Sequence, residues 1–175
     1  LIGITAGIFR EADDLGDGEL IDRIKDSAKQ KGTGRWASIE ALKQGVDISM
    51  ITSACTARIM SNHLDEREKA WQLIHSPAVG LSPDKESFAA MVREALYTGK
   101  IIAYAQGFSL MQDASRLYGW NLDLGKIASI FRAGCIIQAV FLNDITHAFE
   151  AEPKPENLIF DGFFLSRINE HQDSL

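Results

Sequence analysis

The chain has 175 residues, 46% hydrophobic and 24% charged, with a formal net charge of −6. That is room for one domain with a substantial core, in the composition range of a soluble globular protein. The acidic balance, with no lysine/arginine stripe to offset it, speaks against a nucleic-acid partner, and no run of eighteen apolar residues offers a membrane span. No basic leader with a small-residue cleavage site opens the chain. Cys55 and Cys135 each sit in an apolar helical pattern and read as buried, reduced thiols of a cytoplasmic protein, with no disulfide or metal role.

In chain order the pattern is helix after helix. "LIGITAGIFR" starts in mid-pattern without a cap, as though a helix began upstream, so the chain reads as a fragment. "DDLGDGE" is a turn, and Leu20, Ile21, Ile24 and Ala28 predict a helix running up to "KQKGTGRW". Trp36, Ile39, Ala41 and Leu42 mark a short helix stopped by Gly45. Asp47 or Ser49 then caps a helix to about Ile74, whose "LDEREK" end reads as a water-facing stretch laced with i,i+4 pairs. "HSPAVGLSP" is a loop, and Ser82 with Pro83 behind it is an N-cap and first-turn pair for a long helix ending at Gly119. That helix is apolar nearly all round and belongs at the centre of the domain. Helices at about Leu122–Glu150 and Leu158–Glu170 complete an all-α single domain over 1–175.

The "KGTG" loop formally fits G-x-G-x-x-A through Gly32, Gly34 and Ala37, but no strand precedes it and no βαβ unit surrounds it, which excludes a dinucleotide fingerprint. The Gly-Lys-Ser/Thr ending of a phosphate loop is missing as well. Two readings stay open. One is a solvated helix–helix turn whose glycines supply positive φ. The other is an anion grip: backbone N–H groups converging at a helix start, with Lys31 as a point charge and Thr33 as a hydroxyl donor, a set suited to phosphate. Arg58 follows Cys55 by three residues against the apolar stripe of its helix. It is therefore expected to be partly buried beside an anion, either an internal carboxylate or a ligand phosphate. His63, His75, His147 and His171 show no metal spacing, and nothing converges on Asp65, Glu66 and Glu68 as an acid–base set.

"QKGTGRWASIEALKQGV", "LDEREKA", "ALYTGKIIAYAQGF" and "GWNLDLGKIASIFRAGCIIQAVFLNDI" together resemble the C-terminal helical domain of the 6-phosphogluconate dehydrogenase family, in the family's order and over essentially the whole chain. The resemblance implies an enzyme that oxidises 6-phosphogluconate at its C3 hydroxyl with NADP, loses carbon dioxide from the 3-keto acid and releases ribulose 5-phosphate, without a metal. It implies that Lys31, Thr33 and Arg58 bind the substrate phosphate and that members pair through this domain, so a homodimer is expected. It also places the nucleotide domain, the catalytic lysine and the catalytic glutamate upstream, and an arginine- and histidine-bearing tail downstream. This chain is thus expected to hold no catalytic residue and to be inert alone. Phe131, Ala133 and Gln138 depart from the family's usual tryptophan, glycine and arginine, and Arg35 from its usual lysine. The first two read as volume changes in a packed core. The competing expectation is a non-catalytic self-association module whose phosphate site has lapsed.

Overall fold

The computed structural model describes residues 1–75, 80 and 84–175. Eight α-helices carry the described chain: α1 (Ile2–Ile8), α2 (Thr33–Gln44), α3 (Ser49–Ser61), α4 (Leu64–Leu73), α5 (Lys85–Tyr118), α6 (Leu124–Ile130), α7 (Phe141–Glu150) and α8 (Gly162–His171). Among the described residues there is no strand, only an isolated bridge between Ala12 and Glu19 across the Asp/Gly turn.

Helix ends follow local chemistry. Gly45 and Gly119 stop α2 and α5 in left-handed conformation at φ 71° and 67°, a region that costs glycine nothing. Asp84 caps α5 by accepting from the backbone N–H groups of Glu86 and Ser87, while the expected Ser82–Pro83 pair lies outside the described residues. Asp123 and Asp161 cap α6 and α8 in the same way. At the start of α3 the residue before the helix is Ile48, which has no capping side chain, in place of the expected Asp47 or Ser49; Asp47, one position earlier, accepts from the Ser49 N–H at 2.9 Å.

Four helical expectations need correction. The stretch before the loop is a 3-10 turn at Leu20–Arg23 followed by non-helical chain to Lys31, because its polar residues bond elsewhere than along a helix. The single helix expected to Ile74 breaks at Asn62–His63 into α3 and α4. The helix expected over Leu122–Glu150 is interrupted between Ile130 and Phe141 by turns, with Gly134 at φ 72°. The last helix opens as a 3-10 turn at Leu158–Phe160 before α8.

The core sits where the second half of α5 meets α6, α7 and α8. Ile101, Phe108, Leu142, Ile145, Leu158 and Phe164 are buried in one cluster. Phe141 ties three elements together, with ring centroids 5.9 Å from Tyr97, 5.3 Å from Tyr104 and 5.4 Å from Phe164. The first half of α5 departs from the central position expected for it: Phe88, Met91, Val92 and Leu96 are exposed. Ala133 is exposed in the α6–α7 turns and is not a core position, whereas Phe131 packs on the core edge and Gln138 is exposed. The cysteines are half-buried and free, Cys55 on α3 and Cys135 in the α6–α7 turns, instead of lying within the core.

The chain leaves 12830 Å² accessible to solvent. A folded monomer of its 19.3 kDa mass exposes roughly 8,500 Å² by the scaling of surface with mass. Large apolar side chains are among the exposed groups: Ile4 on α1, Leu42 on α2, Trp71 on α4 and Val140 before α7 are 64%, 84%, 81% and 83% exposed. No helix among the described residues is long and apolar enough to cross a membrane.

Candidate functional site

The loop Gln30–Gly34 leads into the first turn of α2, and α3 packs beside it. Gly32 is the residue before the helix, with φ 101°, a conformation open to glycine and strained for any residue with a Cβ. It offers no side chain to cap α2, and among the described residues the first backbone N–H groups of the helix have no side-chain acceptor. Gly34 is required for a different reason. An added Cβ would fall inside the van der Waals envelope of Cys55 Sγ, so α3 can approach the loop this closely only over a glycine.

The result is a cleft of about 460 Å³ lined by Gln30, Lys31, Gly32, Thr33, Gly34, Cys55, Arg58 and Ile136. All three sequence-predicted residues, Lys31, Thr33 and Arg58, meet in it. Arg58 differs from expectation in its setting: it is exposed, and its guanidinium donates to the backbone carbonyl of Lys29. Among the described residues it forms no ion pair with a carboxylate, so the internal-carboxylate alternative is not realised there. The bond to Lys29 draws the arginine onto the loop and leaves the remaining guanidinium N–H groups for another acceptor. Lys31 and Thr33 are exposed.

Two cations, a hydroxyl donor and an uncapped helix start thus converge on one concave surface, and no cleft-lining side chain is acidic. Such a set holds a multiply charged oxyanion by charge-assisted hydrogen bonds and by the positive end of the helix dipole. A second cavity, about 450 Å³ between α2 and α3, is lined by Ser38, Leu42, Val46, Asp47 and Ile48 among others; its one charged group is the Asp47 carboxylate, which disfavours an anion.

Sequence reasoning missed Gln30, Cys55 and Ile136 as cleft-lining residues. Gln30 points back to α3, its Nε2 donating to the Cys55 carbonyl at 3.2 Å. Cys55 was legible through its spacing to Arg58, which puts both on one helix face. Ile136 comes from the α6–α7 turns, where a continuous helix was expected. "LDEREK" also differs: Arg67 reaches off its own helix to Asp26, where its guanidinium holds the Asp26 carboxyl below the usual aspartate value. Among the described residues no cluster of three or more potential metal ligands occurs.

A family model described as 6-phosphogluconate dehydrogenase, C-terminal domain, matches residues 1–175. The decarboxylating 6-phosphogluconate dehydrogenase of Lactococcus lactis subsp. lactis (strain IL1403) is 43% identical over 175 residues, covering 100% of this chain and 37% of the relative. The enzyme of Mus musculus is 46% identical over 175 residues, covering 99% and 36%. Among solved structures, Plasmodium falciparum 6-phosphogluconate dehydrogenase, determined in its apo form, with its cofactor NADP+ and with its substrate 6-phosphogluconate, superposes with a TM-score of 0.92. Its sequence identity is 38%, over 99% of this chain and 38% of that one. The chain therefore spans a little over a third of the length of the relatives it matches.

Proposed function

This chain belongs to the 6-phosphogluconate dehydrogenase C-terminal domain family, and from that premise we propose that it is the helical substrate-binding and dimerising domain, residues 1–175, of a cytoplasmic enzyme that oxidises and decarboxylates 6-phosphogluconate with NADP. Its own part is to hold the substrate's phosphate. The Lys31 ammonium neutralises it, the Thr33 hydroxyl donates to one oxygen, and Arg58 donates to two others from the facing helix. The observation that carries this reading is the convergence of these three side chains on one cleft at the start of α2.

The glycine loop does not fit a dinucleotide fingerprint, and NADP is held mainly by the nucleotide domain of the longer enzyme. The Gly32-x-Gly34-x-x-Ala37 spacing follows non-helical, non-strand chain and opens an isolated helix, with no parallel sheet beside it among the described residues. No hydride step is assigned to this chain. The 175 residues alone are expected not to reduce NADP with 6-phosphogluconate, and measurable turnover by them would overturn that assignment.

The phosphate reading is tested by thermal unfolding with increasing 6-phosphogluconate, against gluconate as the phosphate-free control. A ligand at a hundred times its dissociation constant adds about 2.7 kcal/mol to a site present only in the folded state. The shift is expected with the phosphate ester, absent with gluconate, lost in Arg58→Ala and kept in a surface control, Lys85→Ala on α5. Equal shifts in wild type and Arg58→Ala would sink the phosphate assignment and leave self-association as the domain's role.

A further inference from the structure

The segment between the 3-10 turn and the glycine loop has no regular structure of its own, yet it is bonded almost residue by residue to the end of α3 and the start of α4. Arg67 donates to the Asp26 carboxylate and carbonyl. Ser27 Oγ lies 2.8 Å from Asn62 Oδ1, and the Ala28 N–H donates to Ser61 Oγ at 3.0 Å. The Lys29 carbonyl accepts from Arg58, and Gln30 donates to the Cys55 carbonyl. Going forward along the segment, the α3 partners step back from 62 to 58 to 55. These positions share one face of a helix, so the segment runs antiparallel to α3 along a single stripe.

Asn62 sits at the head of that stripe with its carboxamide fully engaged. Nδ2 donates to the Ala28 carbonyl at 2.9 Å and to the Arg58 carbonyl at 2.7 Å, while Oδ1 accepts from Ser27. The amide has two N–H donors, and each has found a carbonyl. One of those carbonyls belongs to Arg58 itself, and the other lies three residues before Lys31. Asn62 also ends α3, its backbone N–H donating to the Ile59 carbonyl, and this break frees its side chain to reach the segment.

We propose that Asn62 is a positioning residue of the phosphate site: its single carboxamide ties the helix end that carries Arg58 to the segment that delivers Lys31 and Thr33. It touches no substrate. It sets the separation between the two halves of the cation pair, on which simultaneous engagement of one phosphate depends. The inference rests on the phosphate reading above, and its test separates the two.

The measurement is KM for 6-phosphogluconate and kcat with NADP, in the full-length polypeptide of which this chain is proposed to be a domain. Asn62→Ala is expected to raise KM about tenfold with kcat changed less than about twofold, because uniform binding is lost and no step of the chemistry is touched. Combined with Arg58→Ala it is expected to add little beyond the single arginine change, since the asparagine acts through that residue. A purely structural role predicts the opposite: independent, multiplying effects, or a lowered melting midpoint with KM intact. Either result overturns the proposal. Should Asn62→Ala fail to fold, Ser27→Ala, which removes only the bond to Oδ1, carries the same comparison with a smaller expected rise in KM; an unchanged KM there overturns the proposal. If Lys31→Ala and Arg58→Ala leave KM unchanged, the phosphate reading itself has failed. If they raise it while Asn62→Ala does not, only the positioning role has failed.

Discussion

Gly32 and Gly34 stand two residues apart and are irreplaceable for unrelated reasons. Gly32 needs its φ of 101° to turn the chain into α2, and Gly34 needs its missing Cβ to admit Cys55 Sγ. The two cases predict different behaviour. Gly34→Ala overpacks the α2–α3 contact and should destabilise by about 1–3 kcal/mol; adding Cys55→Ala should recover most of that loss, because the colliding atom is removed. Gly32→Ala should show no such rescue, since its strain lies in the backbone. Chemical denaturation of the two single variants and their Cys55→Ala combinations reads this directly, and a Gly34→Ala loss that survives the second change would contradict the contact. In the core, Phe164 is fully buried and meets the Phe141 ring edge-on, and Phe164→Ala should cost about 3–5 kcal/mol by the same measurement.

Among the elements, those written in local chemistry were legible in the sequence. The stops at Gly45 and Gly119 lie where turn residues predict them, and α3 starts within two residues of the expected Asp47. What was not legible is where a long apolar pattern is interrupted. Asn62–His63 carries no glycine or proline; the break is held by Asn62 bonding to a segment 34 residues earlier, a tertiary fact with no local signature. The α6–α7 turns differ: Gly134, at φ 72°, is a local turn signal, but "IFRAGCIIQAV" keeps helical spacing on both sides of it and hides the break. The meeting of Lys31, Thr33 and Arg58 was anticipated through resemblance; the bond from Arg58 to the Lys29 carbonyl was not, because charge patterning sees side chains and not carbonyls. The cap of α5 makes a pH prediction. Ser87 and the α5 backbone hydrogen-bond to the Asp84 carboxyl and hold it below its ordinary value of 3.8. A lowered native value means that its contribution is complete above the unfolded value and is lost as pH falls below it through the native one. Asp84→Ala should therefore lower the melting midpoint at pH 7, and the gap from wild type should close as the solution is acidified below about pH 4; a gap constant down to pH 2 would refute the cap's role.

For the molecule as a whole the governing number is its surface, about half as large again as a folded monomer of this mass needs. Exposed apolar side chains lie on α1, α2, α4 and the first half of α5, away from the cluster that α5, α6, α7 and α8 bury. Obligate interfaces of 2,000–5,000 Å² or more are apolar in this way, which supports the proposed homodimer. Sedimentation at micromolar concentration should give twice the monomer mass, and a monomer alone would contradict it. In the proposed dimer a partner subunit would stand in for part of each protomer's missing interior, and folding and pairing would form a single mass-action equilibrium. Its thermal midpoint should drift upward with protein concentration, so that simple dilution acts on this chain as a denaturant does on a self-sufficient domain.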